Sequence, residues 1–378
     1  MNIIVDENIA FAEKAFAGFG KVNLLHGRKI TNSELKNCDA LIVRSITRVN
    51  EELLKGTPVK FVGTATIGTD HIDLDYLSRC GIAFSDAKGC NADAVAEYIF
   101  TVIFKFAVLN GLSVKDKTIG VVGVGNIGSR IVRLAKALGT NVLMNDPPLQ
   151  RKSGSKEFVS LKEIYSADII TLHVPLNKDG IDKTVHLFNK ENLPMLKDGA
   201  LLINASRGQV INNQALSSLL DRKNINVVLD VWENEPQISF DLLKKVKYGS
   251  PHIAGYSLEG KVNGTTMIYN ALCKFLNRNP VWKPAPPAVA NPVIEAIPGN
   301  NLESTLDKIF SSIYEIKDDD DLMRKMLSMN KDEAGQYFDS LRKSYKLRRE
   351  FTNFTVKLTK PDEVLSRILK AFRFNAIA

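Results

Sequence analysis

Residues 123–128 read Gly-Val-Gly-Asn-Ile-Gly, and they lie between an apolar run and a segment with helical spacing. The apolar run at 118–122 predicts a short buried strand, and the apolar side chains of 129–138 recur at the period of an α-helix. A second apolar run at 142–144 ends at Asp146. This order of strand, glycine turn, helix, strand and acid predicts a βαβ unit that binds a dinucleotide.

A dinucleotide-binding turn needs each of its three glycines for a separate physical reason. Gly123 permits a tight turn, Gly125 has no Cβ to keep the backbone away from a pyrophosphate, and Gly128 lets the helix pack close to its strand. The helix N-terminus offers amide hydrogens and a partial positive charge to the phosphates. Asp146 can accept hydrogen bonds from ribose hydroxyls and would repel a 2′-phosphate, which favours NAD over NADP. The simpler alternatives are an ordinary strand–helix turn and a surface turn at Asp146, ahead of Pro147-Pro148.

The composition is typical of a soluble globular protein. The chain has 378 residues, of which 44% are hydrophobic and 24% charged, so we expect two or three domains. The net charge of +8 is compatible with nucleic acid and equally with a small anionic ligand. Because no basic low-complexity tail is present, we expect a small anionic substrate and no nucleic-acid partner.

The cysteines and the N-terminal sequence indicate a cytoplasmic protein. The four cysteines form no CxxC motif and no cluster with histidine, which argues against a metal site and for a reducing compartment. The chain starts with a strand-like segment at 2–6 rather than with a secretory signal. No apolar run reaches the ~18 residues of a membrane span, so no membrane association is expected.

Alternation of strands and helices over most of the chain predicts an α/β protein: two Rossmann-like domains with parallel sheets, plus a C-terminal α+β dimerisation module. We expect residues 1–91 with 256–280 to form a flavodoxin-like substrate domain and 92–255 to form the NAD-binding Rossmann domain. Residues 281–299 read as a proline-rich linker, and 300–378 as the dimerisation module. That last segment could equally pack onto its own chain.

Local patterns give two further predictions. The apolar segment 93–112 is expected to be one long helix. In the C-terminal module, helical spacing at 302–316 and again at 322–329 is separated by the acidic run 318–321, which we interpret as a solvated turn.

Three segments carry candidate catalytic side chains. Arg207 follows a strand at 200–204, Glu233 and Glu235 follow a strand near 226–231, and His252 lies on the next loop. Hydride removal from a secondary alcohol requires a base for the hydroxyl proton, and histidine can serve as one. A carboxylate bonded to the imidazole fixes its tautomer, and an arginine can grip the carboxylate of a substrate. Each of these residues alone is more often structural. Because the carboxyl ends of parallel strands meet at one edge of the sheet, we expect all three to lie at that edge, which favours a catalytic role.

The segments Asn204–Gly208, Asp230–Pro236 and Pro251–Gly255 resemble the signatures of the D-isomer-specific 2-hydroxyacid dehydrogenases. Other stretches, among them Val43–Thr47 and Asn145–Pro148, resemble one branch of that family, whose substrate is a phosphorylated 2-hydroxy acid. The resemblance implies that a hydroxyl proton passes to a base while a hydride passes to NAD.

The resemblance assigns Arg207 to the substrate carboxylate and C2 oxygen, and His252 to the role of acid/base. Glu235, directly before Pro236, is implied as the partner of His252, whereas spacing alone leaves Glu233 as a competitor. The residues with implied substrate contacts are Ser45, Thr66 and Tyr256. The residues with implied contacts to NAD are Asn126, Ile127, Asp146, Val174 through its backbone, Asp230 and Gly255.

Three further basic residues have separate predicted roles. Arg44 suits a substrate phosphate by charge and position, or else a packed ion pair. His71 and His173 are expected to be structural.

The leading hypothesis is therefore NAD-dependent oxidation of a small phosphorylated 2-hydroxy acid. One alternative is another D-2-hydroxyacid dehydrogenase, for instance one acting on 3-phosphoglycerate, although 300–378 lacks the βαββαβ pattern of an amino-acid-sensing domain. The other is an NAD-sensing binding protein on the same fold.

Overall fold

The structure is a computed structural model that describes residues 1–299 and 301–377. The chain divides into two compact units, each made of two segments. The first unit consists of Met1–Asn91 and Ser257–Ala288, and the second of Ala92–Tyr256 and Val289–Ala378. The C-terminal segment thus shares a compact unit with the segment that carries the glycine turn.

The first unit is built on a five-stranded parallel sheet. Its strands and its first helices are β1 (Asn2–Asp6), α1 (Ala12–Phe16), β2 (Lys21–Leu25), β3 (Ala40–Val43), α2 (Glu51–Leu54), β4 (Phe61–Thr64), α3 (Leu74–Arg79) and β5 (Ala83–Asp86). The strand order is β2-β1-β3-β4-β5, which is the flavodoxin-like order. Along β1, Ile3 and Val5 face one apolar cluster while Ile4 faces another, so the sheet is covered on both faces.

The central segment of the second unit forms a six-stranded parallel sheet. Its elements are α4 (Ala92–Leu109), β6 (Thr118–Val122), α5 (Asn126–Ala137), β7 (Asn141–Asn145), α6 (Pro147–Ser153), α7 (Leu161–Ile164), β8 (Ile169–Leu172), β9 (Leu201–Asn204), α8 (Asn213–Leu220), β10 (Asn226–Leu229), α9 (Phe240–Lys245) and β11 (Tyr248–Gly249). The strand order is β11-β10-β9-β8-β6-β7. After β6, the chain adds β7 on one side of it and β8 to β11 on the other, so the strand order switches between β6 and β8. Sheets of this kind bind ligands at such a switch point.

The long helix α10 (Leu258–Phe275) belongs to the first unit. It begins at Ser257, whose hydroxyl caps the Gly260 amide. A Cβ on Gly63 of β4 would lie 2.5 Å from Ile268, so the missing side chain lets α10 pack directly on the sheet.

The C-terminal segment adds a three-stranded parallel sheet in the order β12-β13-β14. Its elements are β12 (Val293–Ala296), α11 (Leu302–Ser311), α12 (Ile316–Arg324), α13 (Lys331–Lys343), β13 (Thr355–Leu358), α14 (Glu363–Ala371) and β14 (Asn375–Ile377). Phe372 packs edge-on against Phe100 of α4, with ring centroids 5.0 Å apart, and Phe310 packs edge-on against Phe104 at 5.3 Å. The segment therefore completes the apolar core of the second unit.

The α/β class with parallel sheets is confirmed, while two local predictions need correction. The acidic run 318–321 is not a solvated turn, since it lies inside α12. Asp319 and Asp320 are buried because the first accepts bonds from the hydroxyls of Tyr314 and Tyr345, and the second from the Gly249 amide. The long apolar helix ends at Leu109 rather than at 112. After β7, which ends at Asn145, Pro147 begins α6, where its missing N–H costs nothing.

Candidate active site

The three glycines of the 123–128 turn have different surroundings. Gly123 has a φ of 87°, and a Cβ there would lie 2.6 Å from the His173 carbonyl oxygen. A Cβ on Gly128 would lie 2.0 Å from the Gly123 carbonyl oxygen. A Cβ on Gly125 would meet no heavy atom of the described residues within 4 Å. Two glycines thus allow close packing, and the third leaves open space above the turn.

Helix α5 starts at this open space. Its N-cap is Gly125, and within the described ranges no side chain caps the helix start. Gly125 and Asn126 are exposed, and Ile127 is partly so. The first amides of α5 therefore keep their hydrogen-bonding capacity for an anion, as a pyrophosphate group requires.

Asp146 joins β7 to the glycine turn. One carboxylate oxygen accepts from the Val124 amide at 2.8 Å, and the other accepts from the Leu149 amide at 2.9 Å and so caps α6. It is thus more than a surface turn residue. A carboxylate has room for about four hydrogen bonds, so both oxygens can still accept ribose hydroxyls. These features fit the NAD cofactor.

The end of β8 lies beside the same turn. A Cβ on Gly123 would lie 2.9 Å from the Val174 side chain, so Val174 borders the glycine turn. The His173 ring is held by Thr171, whose hydroxyl is 2.8 Å from Nε2. Burial lowers the pKa of His173 to about 3, which keeps its imidazole neutral and agrees with a structural role.

The loop after β9 is shaped by its own side chains. The Asn204 amide donates to the Arg207 carbonyl, while its Oδ1 accepts from the amide and hydroxyl of Ser206. A Cβ on Gly208 would lie 2.0 Å from the Trp232 carbonyl carbon. The glycine therefore allows the loop that carries Arg207 to touch the loop that follows β10.

Glu235 and His252 form a hydrogen-bonded pair. His252 Nδ1 lies 2.8 Å from Glu235 Oε2, and the Trp232 amide donates to Glu235 Oε1 at 2.8 Å. Burial alone would raise the pKa of Glu235, but His252, the Trp232 amide and Arg342 together hold this pKa below its usual value. Because the carboxylate is ionised, Nδ1 carries the hydrogen of this bond and Nε2 is left to accept a proton.

Glu233, the competing candidate, faces other residues. Its Oε1 lies 2.6 Å from His186 Nε2, and its Oε2 accepts from the Asn213 amide at 2.7 Å. The geometry therefore favours Glu235 as the partner of His252.

Asp230 holds the loop that carries His252. Its carboxylate is buried and accepts from the Ser250 hydroxyl and from the amides of Ile253 and Ala254. This role was not expected from the sequence. A contact of Asp230 or Gly255 with NAD stays a prediction.

The candidate substrate residues of the first unit lie at the ends of β3 and β4. Ser45 is exposed and Arg44 half-buried, directly after β3. The Thr66 hydroxyl is 2.7 Å from that of Thr64, whose oxygen also contacts His71 Nε2 at 3.0 Å. His71 thus supports the loop, in agreement with the structural role expected for it.

Two cations carry no signal of a functional role in the sequence. Lys261, in the first turn of α10, has a lowered pKa because of burial and the charge of nearby Arg44. Arg342, on α13, hydrogen-bonds the side chain of Tyr256. Neither lies in a recognisable motif, so only the fold brings Lys261 near Arg44 and Arg342 near Tyr256.

Among residues 1–299 and 301–377, no group of three or more His, Cys, Asp or Glu side chains could hold a metal ion. No helix in those ranges is long and apolar enough to cross a membrane.

Comparison with known proteins gives consistent matches. Residues 101–254 match the model of the D-isomer specific 2-hydroxyacid dehydrogenase NAD binding domain, and 287–371 match a domain of unknown function. The chain is 45% identical over 380 residues to the erythronate-4-phosphate dehydrogenase of Proteus mirabilis. The matched region covers 100% of this chain and 99% of the relative. The chain is 44% identical over 381 residues to the enzyme of the same name from an Escherichia coli strain, with the same coverage.

Two solved structures have similar folds. A NAD⁺-bound 3-phosphoglycerate dehydrogenase from Entamoeba histolytica has a TM-score of 0.62 and 25% identity, covering 73% of this chain and 95% of its own. A D-lactate dehydrogenase from Aquifex aeolicus, complexed with NAD and lactic acid, has a TM-score of 0.58 and 25% identity, covering 73% of this chain and 96% of its own.

Proposed function

We propose that this chain, which belongs to the erythronate-4-phosphate dehydrogenase family of D-isomer-specific 2-hydroxyacid dehydrogenases, oxidises 4-phospho-D-erythronate to (R)-3-hydroxy-2-oxo-4-phosphooxybutanoate, a step of pyridoxal 5′-phosphate synthesis. The observation that carries the proposal is the Glu235–His252 pair, with 2.8 Å between its oxygen and nitrogen, in the unit that also holds the glycine turn. NAD is the cofactor.

His252 acts as the base of the reaction. Its Nε2 takes the proton of the C2 hydroxyl, while ionised Glu235 stabilises the imidazolium that forms. When bound, NAD⁺ accepts the hydride that leaves C2. The products are the 2-oxo acid, NADH and one proton, so the reaction balances.

Arg207 binds the anionic end of the substrate. A guanidinium grips a carboxylate with two parallel hydrogen bonds, and it also stabilises negative charge on the C2 oxygen as the proton leaves. The Asn204 amide and Ser206 fix the loop, which supports a preorganised Arg207.

The phosphate binds Arg44 in this proposal, with Lys261 as a second cation. The proximity of these two positive charges supports it, because two neighbouring cations suit the double negative charge of a phosphate ester. Ser45, Thr66 and Tyr256 complete the substrate contacts that we propose.

Dimerisation through the C-terminal segment is a further proposal. Five apolar side chains of this segment are exposed, which supports a partner surface. They are Val293, Ile297, Leu347, Val364 and Ile377. A cytoplasmic location is also proposed, and the absence of disulfide bonds among the described residues supports it.

The test follows NADH absorbance with 4-phospho-D-erythronate and 3-phosphoglycerate in parallel, with and without an added 2-oxo acid that would reoxidise a trapped cofactor. Preference for 4-phospho-D-erythronate is expected, and erythronate without its phosphate serves as the control for the phosphate site. Preference for 3-phosphoglycerate would contradict the substrate assignment. NAD binding without turnover of either acid would favour the NAD-sensing alternative.

A further inference from the structure

Helix α13 of the C-terminal segment packs on the loop that carries Glu235. A Cβ on Gly335 would lie 3.1 Å from the Gln237 side chain and 3.6 Å from Pro236. Ala334 and Phe338 of α13 are buried in one apolar cluster with Trp232 and other residues of this region. The helix is thus fixed next to the catalytic dyad of its own chain.

Arg342 lies one helical turn beyond Phe338 on α13. Its side chain is partly buried, hydrogen-bonds the Tyr256 side chain and is attracted by the charge of Glu235. Its Nε has no hydrogen-bond partner in the described part of the chain. Taking a cation out of water is costly unless nearby groups compensate it, and two of the groups near Arg342 are candidate active-site side chains.

Another arginine of the same segment shows what a purely structural role looks like. Arg324 of α12 donates to the backbone carbonyls of Leu243 and Val246 and pairs with Asp320. Those contacts tie α12 to the C-terminal end of α9. Arg342 instead hydrogen-bonds a tyrosine and is attracted by the charge of a carboxylate at the candidate site.

We propose that Arg342 is a positioning residue for the reaction: its hydrogen bond orients the Tyr256 side chain, and its guanidinium places a positive charge near the Glu235–His252 pair. This inference rests on the proposed function of the Glu235–His252 pair. The charged or titratable groups that face Glu235 are His252 and Arg342, and those that face Arg342 are Tyr256, Glu235 and, on its own helix, Asp339.

The sign of the expected effect follows from this arrangement. A nearby positive charge disfavours protonation of the Glu235–His252 pair, so its removal makes the pair take up a proton at higher pH. Because oxidation needs the deprotonated base, the acid limb of the kcat/KM profile should then move to higher pH. A residue that only held α13 in place would lower stability without moving this limb.

The experiment compares the full chain with Arg342→Met, which removes the charge, and Arg342→Lys, which retains it. We expect Arg342→Met to lower kcat about 10-fold and to move the acid limb up by at least about half a pH unit. Arg342→Lys should keep the limb near its parental position. Tyr256→Phe should lower kcat/KM and leave the limb in place. Arg324→Met, the matched control, should lower the melting temperature without moving the limb.

A second readout does not need turnover. The chain has five histidines, and His252 can be assigned by NMR through its loss in His252→Gln. The titration midpoint of the pair should rise in Arg342→Met and not in Arg324→Met. An unmoved midpoint in folded Arg342→Met, or an equal move in Arg324→Met, would overturn the inference. Absence of turnover in the parent would count against the proposed function alone.

Discussion

The Asp230 carboxylate accepts a hydrogen bond of 2.7 Å from the backbone amide of Ile253, the residue directly after His252. His252 itself has a φ of 58°, a left-handed conformation that is strained for a residue with a side chain. The backbone amide of His252 also donates to the Asp230 carbonyl at 2.7 Å. Asp230 therefore stabilises, from both its backbone and its side chain, the loop conformation that presents the imidazole.

Replacing Asp230 with asparagine should disturb this loop. The side-chain nitrogen of the asparagine would then face a backbone N–H group, so this buried N–H would lose the carboxylate oxygen that accepts its hydrogen bond. We expect the free energy of unfolding to fall by about 1–3 kcal/mol and kcat/KM to fall at least ~10-fold. Urea unfolding and steady-state kinetics measure both. Exposed Asp198→Asn is the control, and an unchanged kcat/KM in Asp230→Asn would contradict the supporting role.

Glu235→Gln tests the dyad. The amide lacks the negative charge that stabilises the imidazolium and can present a donor to Nδ1, so kcat should fall about 10³-fold or more, by analogy with the aspartate of a hydrolase triad. Glu233→Gln is the matched control, since Glu233 contacts His186 and Asn213 instead. A larger loss of kcat in the control than in Glu235→Gln would reverse the assignment.

Arg207→Ala should lower kcat/KM by at least ~100-fold, because it would remove the charged contact to the reacting centre that we propose for Arg207. Arg207→Lys should recover part of the loss, since a lysine keeps the charge but not the two-pronged geometry. NAD affinity, measured by fluorescence titration, should stay near the parental value in both variants. Unchanged turnover in Arg207→Ala would refute the role.

Glu97 gives a stability prediction with a definite pH dependence. Burial and the charge of Glu350 raise the pKa of Glu97 well above its usual value, while its Oε1 accepts from the Phe351 amide. The unfolded chain ionises this group at lower pH than the folded chain, so the contribution of Glu97 to stability declines as pH rises above the unfolded pKa.

Glu97→Gln keeps an acceptor for Phe351 and removes the buried charge. Its melting temperature should therefore gain on the parent as pH increases from 5 to 8, with the smallest difference near pH 5. Calorimetry at several pH values measures this. A gain that is largest at low pH would show that the sign is wrong.

Ile297→Asp tests the proposed dimer. Ile297 is 75% exposed in the C-terminal segment, and a charge there should weaken an apolar partner surface. Light scattering should give about two subunits for the parent and a mass nearer the 41.9 kDa of one chain for the variant. Ile181, 88% exposed outside that segment, provides the matched control Ile181→Asp. A parent mass of one chain would refute the dimer.

Local pattern was sufficient for the glycine turn. The spacing of 123–128 and the position of Asp146 follow from one continuous βαβ unit, so the structure places them as expected. The choice between Glu233 and Glu235 could not follow from spacing, because it depends on how the loop after β10 turns between His186 and His252.

Contacts between distant segments were beyond local pattern. The run 318–321 looks solvated by composition, yet Tyr345 and Gly249 supply the partners that bury two of its acids. Arg342 likewise lies in an ordinary amphipathic helix, and only the packing of α13 brings it to Tyr256. The role of a side chain that acts through the tertiary fold is not encoded in its neighbours.

The edge-on contact between Phe100 and Phe372 has a genetic consequence. A premature stop codon between residues 289 and 372 would leave every glycine of the cofactor turn intact but remove part of the aromatic core of the same unit. Such a truncated product would expose phenylalanine rings and be a substrate for proteolysis rather than a partial enzyme. Nonsense alleles late in the gene are therefore expected to behave as null alleles.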